Sequence, residues 1–374
     1  MKNHGNLTMT SVKNKKIRVG TVFSGIGAIE HALKKSRVPH EILFAGDIDK
    51  FVKKSYFANY PIDEKNWHDD VEDFAKHDAH KFHNRVDLIV GGSPCQSFSM
   101  AGKRGGLEDA RGTLFYSFAK VIDKARPKVF IYENVKGLLS HDSGRTWEII
   151  KKVFEKDLGY KIFSEVLNAK DYGIPQSRER IFVVGFKDTN VSFTFPKKIE
   201  LLKTMQHYLD DYVHEKYSLS DKGVSFVTGE MQLKKRFTQI NGTVALCQKR
   251  NQQYNWHGDF IHEKYFLSEK VKKYVLSRGT KNYNAKPETD LKVARAILQS
   301  CHKMHRAGVD NYVTYKHGRI RKLTPNECLR LMGFEKFKVV VSDTQMYRQA
   351  GNSIVVNVLS ALLKQIKKTR VISF

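Results

Sequence analysis

The chain has 374 residues, with 65 Lys and Arg against 39 Asp and Glu, giving a formal net charge of +26. This length suggests two domains and is ample for a large buried core. A hydrophobic share of 41% with 11% aromatics excludes a disordered chain. No apolar run approaches the ~18 residues that span a membrane, and the basic tail 1–16 lacks the apolar centre of a secretory signal.

The cysteines, Cys95, Cys247, Cys301 and Cys328, are too few and scattered for a disulfide framework or a zinc cluster. A reducing, cytoplasmic setting without a bound metal is therefore expected. The positive charge is what a nucleic-acid binder needs to neutralise phosphates and release counterions. A basic but merely solvated surface, or one that meets anionic membranes, is the alternative.

The first half alternates strands and helices. Short apolar runs at Arg18–Phe23, Glu41–Phe44, Val86–Val90, Lys128–Tyr132 and Ile181–Phe186 predict buried strands. Helical patterns lie between them, as at Ala28–Lys35 and Leu114–Ala125. This alternation predicts an α/β domain with an open parallel sheet covered on both faces. Its ligand is expected beyond the carboxyl ends of the strands.

From about Asp188 to Arg319 the rhythm breaks into Asn-, Tyr- and Lys-rich pieces, which predicts a second, irregular domain. Residues 187–318 hold 23 basic and 13 acidic side chains, so +10 lies on 132 residues and +16 on the other 242. Those densities are nearly equal, so charge does not say which domain holds the nucleic acid. Near the end, Thr324-Pro325-Asn326-Glu327 predicts a capped helix start. From Asn352 to about Lys368, the residues Val355, Val358, Leu359, Leu362 and Ile366 recur at helical spacing, a face that must pack on the sheet domain.

Three loops at predicted strand ends carry the chemistry. Phe23-Ser24-Gly25-Ile26-Gly27 lies between a strand and a helix, where a glycine turn lets backbone approach a ligand. The third glycine of the dinucleotide pattern is missing, and Glu30 in its place argues against a pyrophosphate. Asp47, about 20 residues on, can bind ribose hydroxyls, so a nucleoside cofactor without phosphates fits. A plain strand–turn–helix remains the alternative. Next, Gly91-Gly92-Ser93-Pro94-Cys95 follows an apolar strand and places Cys95 in a stiff polar loop, as a nucleophile is placed rather than a core cysteine. Residues Ser97–Arg111 are rich in small and basic groups and suit a mobile lid over a polyanion, or an ordinary surface loop. Finally, Glu133 ends a strand, where an acid can move a proton, and Gln176–Arg180 presents guanidinium donors.

In this order these motifs resemble the DNA cytosine carbon-5 methyltransferases of bacterial restriction–modification type. The matching residues are Phe23–Gly27, Pro94-Cys95-Gln96, Gly112-Thr113-Leu114, Glu133-Asn134-Val135 and Gln176–Arg180. Near the C-terminus they are Arg321, Leu323-Thr324-Pro325, Glu327 and Gln349–Ser353. The resemblance covers both ends and leaves the middle unmatched, where that family has its variable target recognition domain.

It implies a Rossmann-like S-adenosylmethionine-dependent methyltransferase sheet domain at 17–188 plus 335–374. The smaller recognition domain would span 189–334, with the C-terminal segment returning to the sheet. Cys95 would attack carbon 6 of a flipped-out cytosine, Glu133 would bind ring nitrogen 3, Arg178 would hold the ring oxygen, and Arg180 would support the loops. Cofactor contacts are implied for Phe23, Gly25, Gly27, Asp47, Ile48, Asp70, Val71, Pro94, Leu114, Asn352 and Ser353, and DNA contacts for Gln96, Ser99 and Arg111. Two departures stand out: the ribose acid is often Glu in the family, and a large aromatic often stands where Ile48 is. The implied partners are double-stranded DNA and a cognate restriction endonuclease, with the enzyme acting as a monomer. The rivals are an NAD-type oxidoreductase, which leaves the cysteine loop unexplained, and a non-catalytic DNA-binding protein, which has no need of Cys95 or Glu133.

Overall fold

Runs of β-branched and aromatic residues form strands, and the amphipathic runs between them form helices. The computed structural model describes residues 16–94, 114–210, 291–297 and 323–373. The first half runs β1 (Ile17–Val22), α1 (Ala28–Lys35), β2 (His40–Phe44), α2 (Lys50–Asn59), α3 (Val71–His77) and β3 (Leu88–Gly91). It continues with α4 (Leu114–Ala125), β4 (Val129–Val135), α5 (Arg145–Lys152), β5 (Lys161–Asn168), β6 (Gln176–Ser177) and β7 (Glu179–Phe186). After β8 (Ala294–Arg295) come α6 (Pro325–Leu331), α7 (Asp343–Asn352) and α8 (Val356–Lys368).

The main sheet has the order β2-β1-β3-β4-β7-β5. From β2 to β4 it is parallel, as expected, but β7 runs antiparallel to both β4 and β5. The expectation of a fully parallel sheet is thus corrected at one edge. Only residues 169–178 separate β5 from β7, fewer than the dozen or so that a parallel crossover needs. β5 escaped prediction because its sequence, Lys-Ile-Phe-Ser-Glu-Val-Leu-Asn, is that of a half-exposed edge strand and not an apolar run.

Strand alternation divides the core between the two faces. Val129 and Ile131 pack on one side with α1 and α8, while Phe130 and Tyr132 pack on the other with α4. The predicted C-terminal face is buried, with Val358, Leu359, Leu362 and Ile366 against the sheet domain, although the helix begins only at Val356 because Asn352 closes α7. At α6 the predicted capping box is present: Glu327 N donates to Thr324 Oγ1 at 3.2 Å, and Thr324 N donates to Glu327 Oε2 at 2.6 Å.

Parts of the 189–334 span share the core of the sheet domain. Val191, Phe193, Met205, Leu291, Ile297 and Leu329 lie in one cluster with Val19 of β1 and Leu359 of α8. The tail before Lys16, Cys247, Cys301, Arg321 and residues 211–290 and 298–322 lie outside the described residues. Among the described residues no helix is long and apolar enough to cross a membrane.

Candidate active site

The carboxyl ends of β1, β2, β3 and β4 meet at one edge of the sheet, where their loops line a cavity of about 970 Å³. Its two ends are built differently.

At one end, the loop after β1 turns through left-handed backbone at Phe23 (φ +53°) and Gly25 (φ +54°). That turn is tied to the loop after β2: Ser24 N donates to Gly46 O and Gly46 N to Ser24 Oγ, both at 2.9 Å. Asp47 completes the tie, its Oδ2 accepting from Gly25 N and its Oδ1 from Asp49 N, each at 3.1 Å. Burial pushes the Asp47 carboxyl above the ordinary aspartate range, and these N–H donors draw it back. Beside it Ile48 is 82% exposed and lines the cavity, so its apolar surface is free for a flat ring. Asp70 caps α3 by accepting from Glu72 N at 2.7 Å, and with Val71 it lines the same end.

Pro94, Leu114 and Asn352 also line the cavity. Gly27 and Ser353 do not belong to its lining. At Gly27 a side chain would run into the Tyr60 ring, so this glycine serves packing. The Ser353 carbonyl accepts from Arg178 Nη2 at 2.9 Å, so this residue is a brace. Glu30 also differs from expectation. It is 2% exposed and turned inward, with Tyr56 OH donating to Oε1 at 2.5 Å. Desolvation pushes its carboxyl up to about 7, and its Oε1 accepts from Tyr56 and Thr21, so the group is held in the interior and not presented to the glycine loop.

At the other end, strand register does the assembly. Gly91 pairs with Tyr132 in the parallel ladder, so the next residues, Gly92 and Glu133, run side by side. A Cβ at Gly92 would sit 2.7 Å from Glu133 O and 3.0 Å from Glu133 Oε2, so only glycine lets the loop pass this close. Arg180 lies opposite Val135 in the antiparallel ladder, and residues two apart share a face. Its Nε therefore reaches Glu133 Oε1, at 3.2 Å. Burial raises the Glu133 carboxyl above its ordinary range, while Arg180 and then Arg178 pull it back.

Arg178 is 4% exposed, and its Nη2 donates to the Gly351 and Ser353 carbonyls at 2.9 Å each. The resemblance put the ring-oxygen contact on Arg178 and loop support on Arg180; it is Arg180 whose guanidinium lies against Glu133. Gln176, from the same run, faces away from the cavity and bridges Leu331 O (2.7 Å) to Ile297 N (2.8 Å). Cys95, Gln96, Ser99 and Arg111 lie outside the described residues, while Pro94, the neighbour of Cys95, lines the cavity. Sequence reasoning gave no role to Asn134, Ser93 or Tyr132, which hydrogen-bond together behind the Gly92–Pro94 turn. No pattern in the sequence marks that trio, because strand pairing alone brings it together. Among the described residues no group of His, Cys, Asp or Glu is arranged to hold a metal.

A sheet of this order, with a glycine loop and Asp47 at one end of the cavity and the buried Glu133 at the other, has the fold of the α/β S-adenosylmethionine-dependent methyltransferase class. The fold matches a Spodoptera frugiperda DNMT2 variant with a TM-score of 0.65 at 20% identity, covering 94% of this chain and 99% of that one. It matches S. pombe Dnmt2 at 0.62 and 20%, covering 95% and 99%. At such identities the likeness concerns fold alone.

The particular family comes from sequence: over residues 17–368 the chain matches, and belongs to, the C-5 cytosine-specific DNA methylases. It is 33% identical over 371 residues to the type II methyltransferase M.SsoII of Shigella sonnei, covering 96% of this chain and 82% of that protein. It is 30% identical over 439 residues to the orphan methyltransferase M.SPRI of Bacillus phage SPR, covering 95% and 98%. The protein is a DNA cytosine-5-methyltransferase.

Proposed function

We propose that this enzyme methylates carbon 5 of a flipped-out cytosine in one double-stranded DNA sequence, through a covalent adduct between Cys95 and carbon 6. The observation that carries this reading is the buried Glu133–Arg180 pair beside the Gly92–Pro94 turn, in one cavity with the Asp47 loop.

The cavity fits S-adenosylmethionine. Its volume of about 970 Å³ is at the upper end of the ~300–1,000 Å³ of small-molecule sites, with room for a base beside a nucleoside. Asp47 would accept from the ribose hydroxyls, Ile48 would pack on the adenine, and Asp70 would take the adenine amine. When bound, S-adenosylmethionine supplies an activated methyl group on a sulfonium. Neither face of cytosine is reachable inside a duplex, so the base must leave the stack. The Cys95 thiolate adds to carbon 6 as ring nitrogen 3 takes up a proton from solvent, and Glu133 stabilises the protonated ring. Carbon 5 then carries the electron pair that takes the methyl group; loss of the carbon 5 proton to solvent lets the thiolate leave, and the nitrogen 3 proton is released as the ring is restored. Because Arg178 is engaged with Gly351 and Ser353, we assign the ring oxygen to Arg180 and the bracing of the Asn352 turn to Arg178.

Target reading is assigned to the unmatched part of 189–334, and further DNA contacts to Gln96, Ser99 and Arg111. The restriction–modification setting, with a partner endonuclease, draws its support from type II methyltransferases such as M.SsoII among the relatives. Bisulfite sequencing of DNA from cells expressing the protein tests the core of the proposal. Cytosines in one sequence context should resist conversion, and Cys95→Ser should abolish the protection, since a serine hydroxyl is a far weaker nucleophile near neutral pH. Wild-type protection by the serine variant would overturn the covalent route. In a melting experiment, S-adenosylhomocysteine should raise Tm and NAD should not.

A further inference from the structure

Against the turn that leads to Cys95 lies a set of buried hydrogen bonds. Ser93, Tyr132 and Asn134 are 4%, 0% and 3% exposed. Ser93 Oγ and Tyr132 OH are 2.8 Å apart, and either can donate. Asn134 Nδ2 donates to Tyr132 OH at 2.8 Å and to the Ser93 carbonyl at 3.0 Å. Asn134 Oδ1 accepts from Val135 N at 2.8 Å, which fixes the orientation of the amide.

The arrangement follows from register. Gly91 stands opposite Tyr132, so Ser93, two residues on, comes level with Asn134. Tyr132 and Asn134 are also two apart and project to the same face, while Glu133 between them projects to the other. The Tyr132 ring is anchored in the aromatic core, with centroids 5.2 Å from Phe118, 5.7 Å from Phe154 and 5.8 Å from Phe115. Its hydroxyl reaches past that core to the strand end. A phenol anchored at 0% exposure is a rigid post, and the amide and serine attach the loop to it.

We infer that Tyr132, with Ser93 and Asn134, is a positioning clamp that holds the Gly92–Pro94 turn in register with Glu133, and thereby sets where Cys95 stands relative to the acid. Ser93 and Asn134 also border the cavity, whereas the Tyr132 hydroxyl does not and acts only through the main-chain position of the loop. It rests on the proposed roles of Cys95 and Glu133. Small misplacements of reacting groups are expensive: a shift of about 1 Å can cost ~10²-fold in rate.

The experiment uses the full chain and duplex DNA synthesised with 5-fluorocytosine in place of every cytosine, so the target sequence need not be known. S-adenosylmethionine is supplied at saturation, and once carbon 5 has taken the methyl group its fluorine cannot leave as a cation, so the enzyme stays joined to the base and the adduct is counted on a denaturing gel. Tyr132→Phe keeps the ring and deletes the post's hydroxyl. Adduct formation at saturating DNA should slow by about tenfold or more, while the Kd for S-adenosylhomocysteine and the DNA concentration at half-maximal rate stay at wild-type values. Ser93→Ala should reproduce this, and Tyr132→Phe/Ser93→Ala should be no slower than the slower single variant, because the three groups form one unit. All rates are taken well below the measured Tm, and Ser93→Ala carries the test if Tyr132→Phe does not fold. Wild-type adduct rates in the variants, or rate losses that multiply in the double variant, would overturn the clamp. A wild-type enzyme that forms no adduct would instead overturn the covalent reading on which the clamp rests.

Discussion

The two ends of the cavity are held by different kinds of contact. At the cofactor end the ties are between neighbours in sequence or adjoining loops: Asp49 caps its own helix, Asp70 caps its own helix, and Asp47 joins two successive βα loops. At the base end the ties span the chain: Glu133 meets Arg180, Asn134 meets Ser93, and Arg178 reaches Gly351 and Ser353. Helix capping and the pairing of β1 with β2 set the first end. The other end exists only when β3, β4 and β7 have paired in one register. Substitutions at the first should therefore weaken binding, and those at the second should change rate.

The sharpest test of that difference is Glu133→Gln. It keeps the shape and loses the charge, so turnover should fall by about 10²-fold or more, with DNA affinity in a binding titration little changed. Unchanged turnover would give ring nitrogen 3 to another residue. Asp47→Asn should do the opposite. An amide keeps one oxygen but turns an N–H toward the Gly25 or Asp49 donor. Losing hydrogen bonds to a charged group costs roughly 1.5–3 kcal/mol, so the Kd for S-adenosylhomocysteine should rise about 10- to 100-fold while the rate at saturating cofactor changes much less.

Arg180→Ala probes the electrostatics of the base end. Burial raises the Glu133 carboxyl and Arg180 opposes that, so without the guanidinium the carboxyl rises further. If Glu133 acts ionised, the acid limb of kcat/KM should move to higher pH, with the loss of rate largest on the acid side. An unmoved limb would assign that limb to a different group.

Glu30→Gln lies outside both ends of the cavity and concerns stability alone. The Glu30 carboxyl is pushed up to about 7 from an ordinary 4.5. Its stability contribution is therefore complete below about 4.5 and is lost as pH rises to about 7, staying low above that. At about 1.36 kcal/mol per pKa unit the loss is of order 3 kcal/mol. Glu30→Gln avoids it, so its Tm relative to wild type should be higher at pH 8 than at pH 5, by several degrees. A pH-independent difference would mean that Glu30 ionises no differently in the folded and unfolded chains.

Much of the architecture was legible in the sequence because it depends on neighbouring residues. The ranges Ala28–Lys35 and Leu114–Ala125 stand as predicted, as does the Thr324–Glu327 capping box, since periodicity and capping are properties of a few successive side chains. The placement of the residues at the glycine-loop end of the cavity was legible for the same reason: Phe23, Asp47, Ile48 and Asp70 sit just beyond strands or at helix starts that the sequence itself marks.

Pairing was not legible. β5 carries no apolar run, and the reversal of β7 between β4 and β5 follows from a short connection and a vacant sheet edge, which no single segment encodes. That reversal brings Arg180, rather than Arg178, to Glu133. The inward turn of Glu30, the packing role of Gly27 and the Ser93–Tyr132–Asn134 trio likewise depend on partners 26 to 41 residues away. Composition and periodicity determined which residues form strands, helices and loops. Only the tertiary structure decided which of those loops face one another, because side chains distant along the chain meet only after the sheet has chosen its order and register.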